Sequence, residues 1–165
     1  MAETSLTLFA RFRALFGGAE DTTGAVKTRM ENLLLKRQAR CVKDILDAAA
    51  NTTTPEYTFF VADRSYRVVS VKFLPSTAVT AGATHFGTIL IDKRPASGPG
   101  TPVNVATRSL AATNMVAFTE ESATLTATAA DLLLVAGDAL TFEITKTMNG
   151  LAIPAGVVTV NMVEV

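Results

Sequence analysis

The residues LTFEI at positions 140–144 decide the fold class of this chain, because apolar and polar side chains alternate along them. Alternation at every second residue is typical of a β-strand with one buried face and one solvated face. The residues VSVKF at positions 69–73 repeat the pattern, and short runs rich in Val, Thr and Ala follow in the rest of the chain. From about residue 55 onward, the sequence therefore predicts a body of short strands.

Turn signals separate these runs. Gly137-Asp138 is typical of a turn, and Asn149-Gly150 is the strongest hairpin signal in the chain. Residues 95–102 (PASGPGTP) are a loop by composition. The predicted strands are residues 57–62, 69–73, 85–91, 103–107, 115–119, 123–128, 132–135, 140–144 and 157–165. No helical pattern lies between them, so residues 55–165 predict a mainly β fold, a jelly-roll or β-sandwich body of about eight strands.

Residues 1–54 have a helical periodicity instead. Leu8, Phe9, Phe12 and Phe16 recur at spacings of three and four, which predicts a short amphipathic helix. A helix this short is marginal in water unless it docks on another surface.

A second and longer helix is predicted from about Val26 to Ala50, where no Gly or Pro interrupts the chain. Its apolar stripe includes Cys41 and Ile45, and Pro55 forbids its continuation. The predicted organisation is therefore a helical N-terminal arm over residues 1–54, followed by the β body.

The charges balance overall, since 15 Lys and Arg oppose 15 Asp and Glu. Zero net charge gives no general attraction to nucleic acid or membrane. One local excess exists, because Arg29, Lys36, Arg40 and Lys43 share the predicted face opposite the apolar stripe. That face is either a solvated surface or a binding surface for an acidic protein. Nucleic acid is not favoured, because no aromatic side chains are interleaved with the basic ones.

The residue types of catalytic and metal sites are sparse. His85 is the one histidine and Cys41 the one cysteine, and they match no zinc spacing. Cys41 lies on the apolar stripe, which predicts core packing. The neighbours Glu120 and Glu121 would point to opposite faces of a strand and form no acid pair. The sequence predicts neither an enzyme nor a cofactor, and no apolar run approaches the roughly 20 residues of a membrane span.

A resemblance lies in the final part of the chain. Residues 135–144 (VAGDALTFEI) and 149–158 (NGLAIPAGVV) combine a Gly-Asp turn, an alternating strand, a Gly turn and a Leu-x-Ile-Pro-x-Gly corner before the last strand. This pattern resembles the end of the jelly-roll decoration, cement and head-fibre proteins of tailed bacteriophages. The runs at 69–73 and 85–91 are similar to earlier strands of those proteins, so the resemblance covers residues 57–165 and not the arm.

The resemblance implies a homotrimer on the outer surface of a virion, made in the host cytoplasm and bound to the major capsid protein. The arm would then bridge neighbouring capsid subunits, and binding several subunits at once raises the effective affinity. We assign the partner-binding residues from their chemistry and not from a family motif. Phe9, Phe12 and Phe16 are apolar anchors, and the basic residues that meet acidic capsid surface are Arg29, Lys36, Arg40 and Lys43.

Two other readings stay open. One is a glycan- or receptor-binding β-sandwich of a virion fibre. Sugar sites usually use an exposed aromatic side chain as a platform, and the chain has no Trp and only two Tyr. The other is a host β-sandwich interaction domain whose apolar helical stripe covers its own sheet.

Overall fold

Ten strands build the body in the structure, a computed structural model that describes residues 38–98 and 100–165. The strands are β1 (Gln38–Ile45), β2 (Tyr57–Val61), β3 (Tyr66–Pro75), β4 (Phe86–Arg94), β5 (Val103–Ser109), β6 (Glu121–Ser122), β7 (Thr124–Leu125), β8 (Leu133–Leu134), β9 (Ala139–Thr147) and β10 (Gly156–Glu164). The described residues contain no helix.

The strands form two antiparallel sheets. The first, called the β1 sheet, has the order β1-β10-β3-β6, with β8 also paired to β3. The second, called the β2 sheet, has the order β2-β9-β4-β5-β7. Every connection except the one between β4 and β5 passes from one sheet to the other. Neighbours in the sequence are therefore seldom neighbours in a sheet.

Alternate side chains from both sheets meet in one core, which makes the body a β-sandwich. The inward residues of β9 are Leu140, Phe142 and Ile144, and those of β10 are Val158, Val160 and Met162; all are buried. Burying one such side chain contributes about 1.5–3 kcal/mol. The period-two pattern in the sequence thus becomes the packing between the sheets.

Six of the predicted strands are confirmed in position, namely those that correspond to β2, β3, β4, β5, β9 and β10. The turn at Gly137 is confirmed as well. The N–H of Asp138 donates to the Val135 carbonyl at 3.0 Å, and Gly137 has a φ of +90°, which glycine adopts without steric cost. Residues 95–98 and 100–102 form a loop, as the composition predicted.

The predicted helix from Val26 to Ala50 is wrong for its described part. Gln38–Ile45 is a strand that pairs with β10 along its whole length. The error has a physical cause: a spacing of four residues, such as Cys41 to Ile45, keeps one face on a helix and also keeps one face on a strand. Pairing with β10 then decides between the two.

The hairpin predicted at Asn149-Gly150 is also wrong. β9 and β10 belong to different sheets, so the chain from 148 to 155 crosses the sandwich and does not make a tight turn. Ile153 is fully buried on the way and pairs with Ala48. Gly150 is required by close packing, because a Cβ there would collide with the Phe86 carbonyl oxygen.

The strand predicted at 115–119 is wrong too. Met115 makes one isolated bridge to Val79, and the chain then turns at Phe118. Residues 123–128 and 132–135 contribute only the two-residue strands β7 and β8. A strand of two residues places only one side chain on each face, so it cannot bury a continuous face.

Four connections gather at one end of the sandwich. Ile45, Gly156 and Pro75 lie side by side where β1 ends, β10 begins and β3 ends. In the other sheet Phe86 lies beside Thr147. The loops that leave these positions are residues 46–56, 76–85, 110–120 and 148–155, and we call this region the four-loop end. Within the described residues, no helix is long and apolar enough to cross a membrane.

Candidate partner-binding surfaces

The predicted partner-binding residues fall into two groups. Phe9, Phe12, Phe16, Arg29 and Lys36 lie outside the described residues. Arg40 and Lys43 lie on β1, and both are exposed.

Positions three apart share a face on a helix but lie on opposite faces of a strand. The expected common basic face of Arg40 and Lys43 is therefore wrong, because β1 is a strand. Their role in binding a partner stays a prediction.

The outer face of β1 carries Arg40, Val42 and Asp44, which alternate with the inward Cys41. Val42 is 53% exposed on this face. β1 pairs with β10 along one edge, and no other described strand pairs with its second edge. This edge is one candidate surface.

The four-loop end is a second candidate surface, because it presents large apolar side chains to solvent. Leu46 is 81% exposed, Phe118 is 78% exposed and Met148 is 77% exposed, and Val116 and Leu151 are exposed at the same end. Phe118 has a φ of +55°, and its N–H donates to the Pro75 carbonyl at 2.9 Å. Exposed apolar groups gathered in one region are typical of interaction sites.

A groove of about 580 Å³ lies between two of these loops. Segments 76–80 and 151–155 form its walls, and Asp47 adds one carboxylate to its lining. Val79, Ile153 and Pro154 make much of the remaining lining apolar. The groove is suited to an apolar side chain of a partner, with Asp47 available to a polar or cationic neighbour.

A third surface, on the outside of the β2 sheet, holds an acidic cluster. The Arg94 Nε–H donates to Glu56 Oε1 at 2.9 Å, and a second guanidinium N–H donates to Glu56 Oε2. Asp92 is buried and accepts a hydrogen bond from Asn104 Nδ2 at 2.9 Å. Glu56 thus binds the Arg94 guanidinium directly, and the carboxylates of Asp92 and Glu143 lie close enough for their charges to act on it.

The environment moves the pKa values of this cluster in opposite directions. The hydrogen bond from Arg94 lowers the pKa of Glu56. Burial raises the pKa of Asp92. Burial, followed by the charges of Glu56 and Asp92, raises the pKa of Glu143. The described residues contain no group of three or more His, Cys, Asp and Glu side chains that could hold a metal ion.

Glu120 lies just before β6 and Glu121 lies in it, so the prediction of one strand with the two side chains on opposite faces does not apply; the two carboxylates have different partners. Glu120 is exposed and pairs with Lys72 at 2.5 Å, and that hydrogen bond lowers the pKa of Glu120. Glu121 accepts from Arg108 at 2.9 Å, with side-chain exposures of 16% for Glu121 and 14% for Arg108. This second pair joins β6 of one sheet to β5 of the other and so links the two sheets at that side.

Cys41 and His85 have ordinary surroundings. Cys41 is half-buried against the core, and its burial raises the pKa of the thiol. The core packing predicted for it is confirmed, on a strand and not on a helix. His85 is exposed in the bend before β4, with its Nδ1 atom 2.9 Å from Thr84 Oγ1. The strand predicted to contain His85 begins one residue later.

Comparison with known proteins identifies no family for this chain. No family model matches it, and no curated protein matches it. Among solved structures, a chain in the structure of the infectious bursal disease virus Gx strain is similar, at 12% identity and a TM-score of 0.38. The alignment covers 78% of this chain and 32% of that chain, so this chain spans about a third of the protein it matches. A TM-score this low is not grounds for a shared fold.

Proposed function

We propose that this chain is a structural protein of a virus particle, which binds the outer capsid surface as a homotrimer and bridges capsid subunits. The strand order supports the proposal. The orders β1-β10-β3-β6 and β2-β9-β4-β5, with connections that cross between the sheets, correspond to a jelly roll. Jelly rolls are frequent in capsid proteins and lectins. This architecture also fits the resemblance to phage decoration proteins.

The observation that carries the proposal is the apolar four-loop end. A partner that covers Phe118, Leu46 and Met148 lowers the free energy of the complex, because burial removes apolar area from water. A flat capsid surface can cover several loop tips at once, and the groove beside Leu151 can take one protruding side chain. In this proposal the four-loop end contacts the major capsid protein, and Phe9, Phe12 and Phe16 supply a further contact.

Two valines of nearly equal exposure allow a matched test. Val116 is 56% exposed at the four-loop end, and Val61 is 58% exposed where β2 ends, at the opposite end of the sandwich. The experiment measures co-sedimentation of the full-length protein with virions stripped of it. We expect Val116→Asp and Phe118→Asp to weaken binding by about tenfold or more, since central apolar contacts dominate an interface. Val61→Asp should bind like the unmodified chain.

Equal binding by all three variants would refute the four-loop end as the contact. Absence of the chain from purified virions would refute the virion role altogether. Light scattering on the free protein tests the homotrimer separately, and we expect a mass of three chains or a multiple of three.

The glycan-binding alternative has less support from the described residues. Tyr57 is half-buried and packs against Phe142 with ring centroids 5.3 Å apart. Tyr66 is buried, and its hydroxyl donates to Asp63 Oδ1 at 2.5 Å. Neither tyrosine is exposed, so neither is placed to act as a sugar platform. A specific hit on a glycan array that Phe118→Asp abolishes would favour this alternative.

A further inference from the structure

β1 is a regular strand with one unpaired edge. Its register with β10 runs without a break from Gln38 opposite Val163 to Ile45 opposite Gly156. The strand contains no Pro and no bulge, two of the devices by which proteins protect an edge, and its charged side chains, Arg40, Lys43 and Asp44, are the protection that it does carry. The N–H and C=O groups on the second edge of β1 have no partner strand within the described residues. Such an edge is a template for another strand.

The sequence of β1 is complementary to itself. Arg40 and Asp44 lie two residues before and two residues after Val42, and all three lie on the outer face. A second copy can pair antiparallel with β1 through a two-fold axis perpendicular to the sheet, and the outer faces of the two β1 strands then lie on the same side of the joined sheet. With the axis at Val42, Arg40 of each copy lies opposite Asp44 of the other copy, and the two Val42 side chains lie opposite each other.

The other registers of the same symmetry are less favourable. An axis at Arg40, Lys43 or Asp44 places a like charge directly opposite itself, which is destabilising. An axis at Cys41 places Gln38 opposite Asp44 and pairs no opposite charges. Of the five registers centred between Arg40 and Asp44, the one at Val42 is thus the register that forms ion pairs.

We infer that two copies of this chain pair antiparallel through β1, with the two-fold axis at Val42, and join their β1 sheets into one continuous sheet. The contact closes the exposed edge with backbone hydrogen bonds and covers the exposed Val42. It goes beyond the proposed function and does not depend on it, because the argument uses the edge strand alone. A two-fold contact is also separate from the homotrimer, so the two together give six chains.

Charge reversal tests the register in the full-length protein. Arg40→Asp places two like-charged pairs across the axis, and we expect it to weaken self-association by about tenfold or more in sedimentation velocity. Asp44→Arg should do the same. The double variant R40D/D44R restores both ion pairs in reverse and should associate within about threefold of the unmodified chain. Arg67→Asp, an exposed change on the outer face of β3 in the same sheet, is the matched control.

Cysteine cross-linking locates the axis. Opposite residues of antiparallel strands have Cα atoms about 4.5–5.5 Å apart, within the range of a disulfide. Cys41 is the one cysteine, so the variant C41A/V42C carries a single thiol at the axis. We expect mild oxidation to link it into dimers, while the native Cys41, which lies opposite Lys43, links slowly.

Each outcome decides the inference. Masses of two or six chains, rescue by R40D/D44R and cross-linking at position 42 support it. Masses of one or three chains overturn it. Fast cross-linking through native Cys41 with none at position 42 overturns the axis at Val42, and so does a double variant that associates no better than Arg40→Asp.

Discussion

Replacing Glu121 with Gln is expected to destabilise the β-sandwich through Arg108. The two side chains are about one-sixth exposed, and their 2.9 Å hydrogen bond joins charged partners from the two sheets. Glu121 Oε1 also accepts the N–H of Val116 at 3.2 Å, a bond that glutamine can keep. With Oε1 kept on Val116, the glutamine NH2 group faces Arg108 and cannot accept from it, so the change removes both the negative charge and the hydrogen bond from Arg108.

The size of the effect follows from this geometry. A hydrogen bond to a charged group contributes about 1.5–3 kcal/mol. Because the Arg108 side chain is only 14% exposed, little water can reach its guanidinium to take the place of the lost hydrogen bond. We expect the free energy of unfolding to fall by about 2 kcal/mol, or roughly 6 °C in Tm for a body of this size. The assay is urea unfolding followed by circular dichroism, compared with the unmodified chain.

The neighbouring residue supplies the control. Glu120→Gln removes the same charge from an exposed pair with Lys72, and we expect the unfolding midpoint to stay unchanged within error. The double variant Arg108→Met with Glu121→Leu leaves no unpaired charge and should recover at least half of the loss. Equal midpoints for the two glutamine variants would refute the reasoning that Glu121 holds the sheets together.

Two further predictions concern packing and pH. Gly156→Ala places a Cβ against the Leu74 carbonyl and the Phe73 ring. It should lower the free energy of unfolding by about 1–3 kcal/mol, whereas Gly100→Ala, whose nearest new contact is at 4.0 Å, should leave the urea midpoint unchanged. Glu143→Gln should stabilise the fold at pH 7, because the raised pKa of Glu143 means that folding disfavours its charge, and the gain should disappear below the ordinary value of 4.5. Glu56→Gln should destabilise the fold at pH 7, because the pKa of Glu56 is lowered, and that loss should disappear as the pH falls through the folded-state pKa. Urea unfolding between pH 3 and pH 8 measures both glutamine variants, and effects of the same sign would contradict the opposite pKa shifts.

The sequence predicted strands well where period-two alternation was long. LTFEI at 140–144 and VSVKF at 69–73 became central parts of β9 and β3, because alternation states directly which side chains enter the core. It failed at β1, where apolar spacings of four fit a helix as well as a strand. It also failed at Asn149-Gly150, because a local turn signal carries no information about which sheet receives the next strand.

The candidate surfaces were predicted less well than the fold. The predicted binding residues that lie in the described part, Arg40 and Lys43, were chosen from a helical face that β1 does not have. Phe118 and Met148 carried no pattern, since exposure of a single apolar residue depends on how distant loops meet. The edge of β1 became visible only once its pairing with β10 was known.

The position of β10 has a consequence for how the chain is made. β10 lies between β1 and β3 in the sheet, yet it follows all nine other described strands in the sequence. Until Gly156–Glu164 leaves the ribosome, β1 has no partner among the described strands and β3 lacks its main one, so the β1 sheet closes only after synthesis of that segment. Strands this far apart in sequence pair slowly, and folds dominated by such pairings form on the order of milliseconds to seconds. During that interval the edges that β10 will cover on β1 and β3 are unpaired, and unpaired strand edges are prone to pair with other chains.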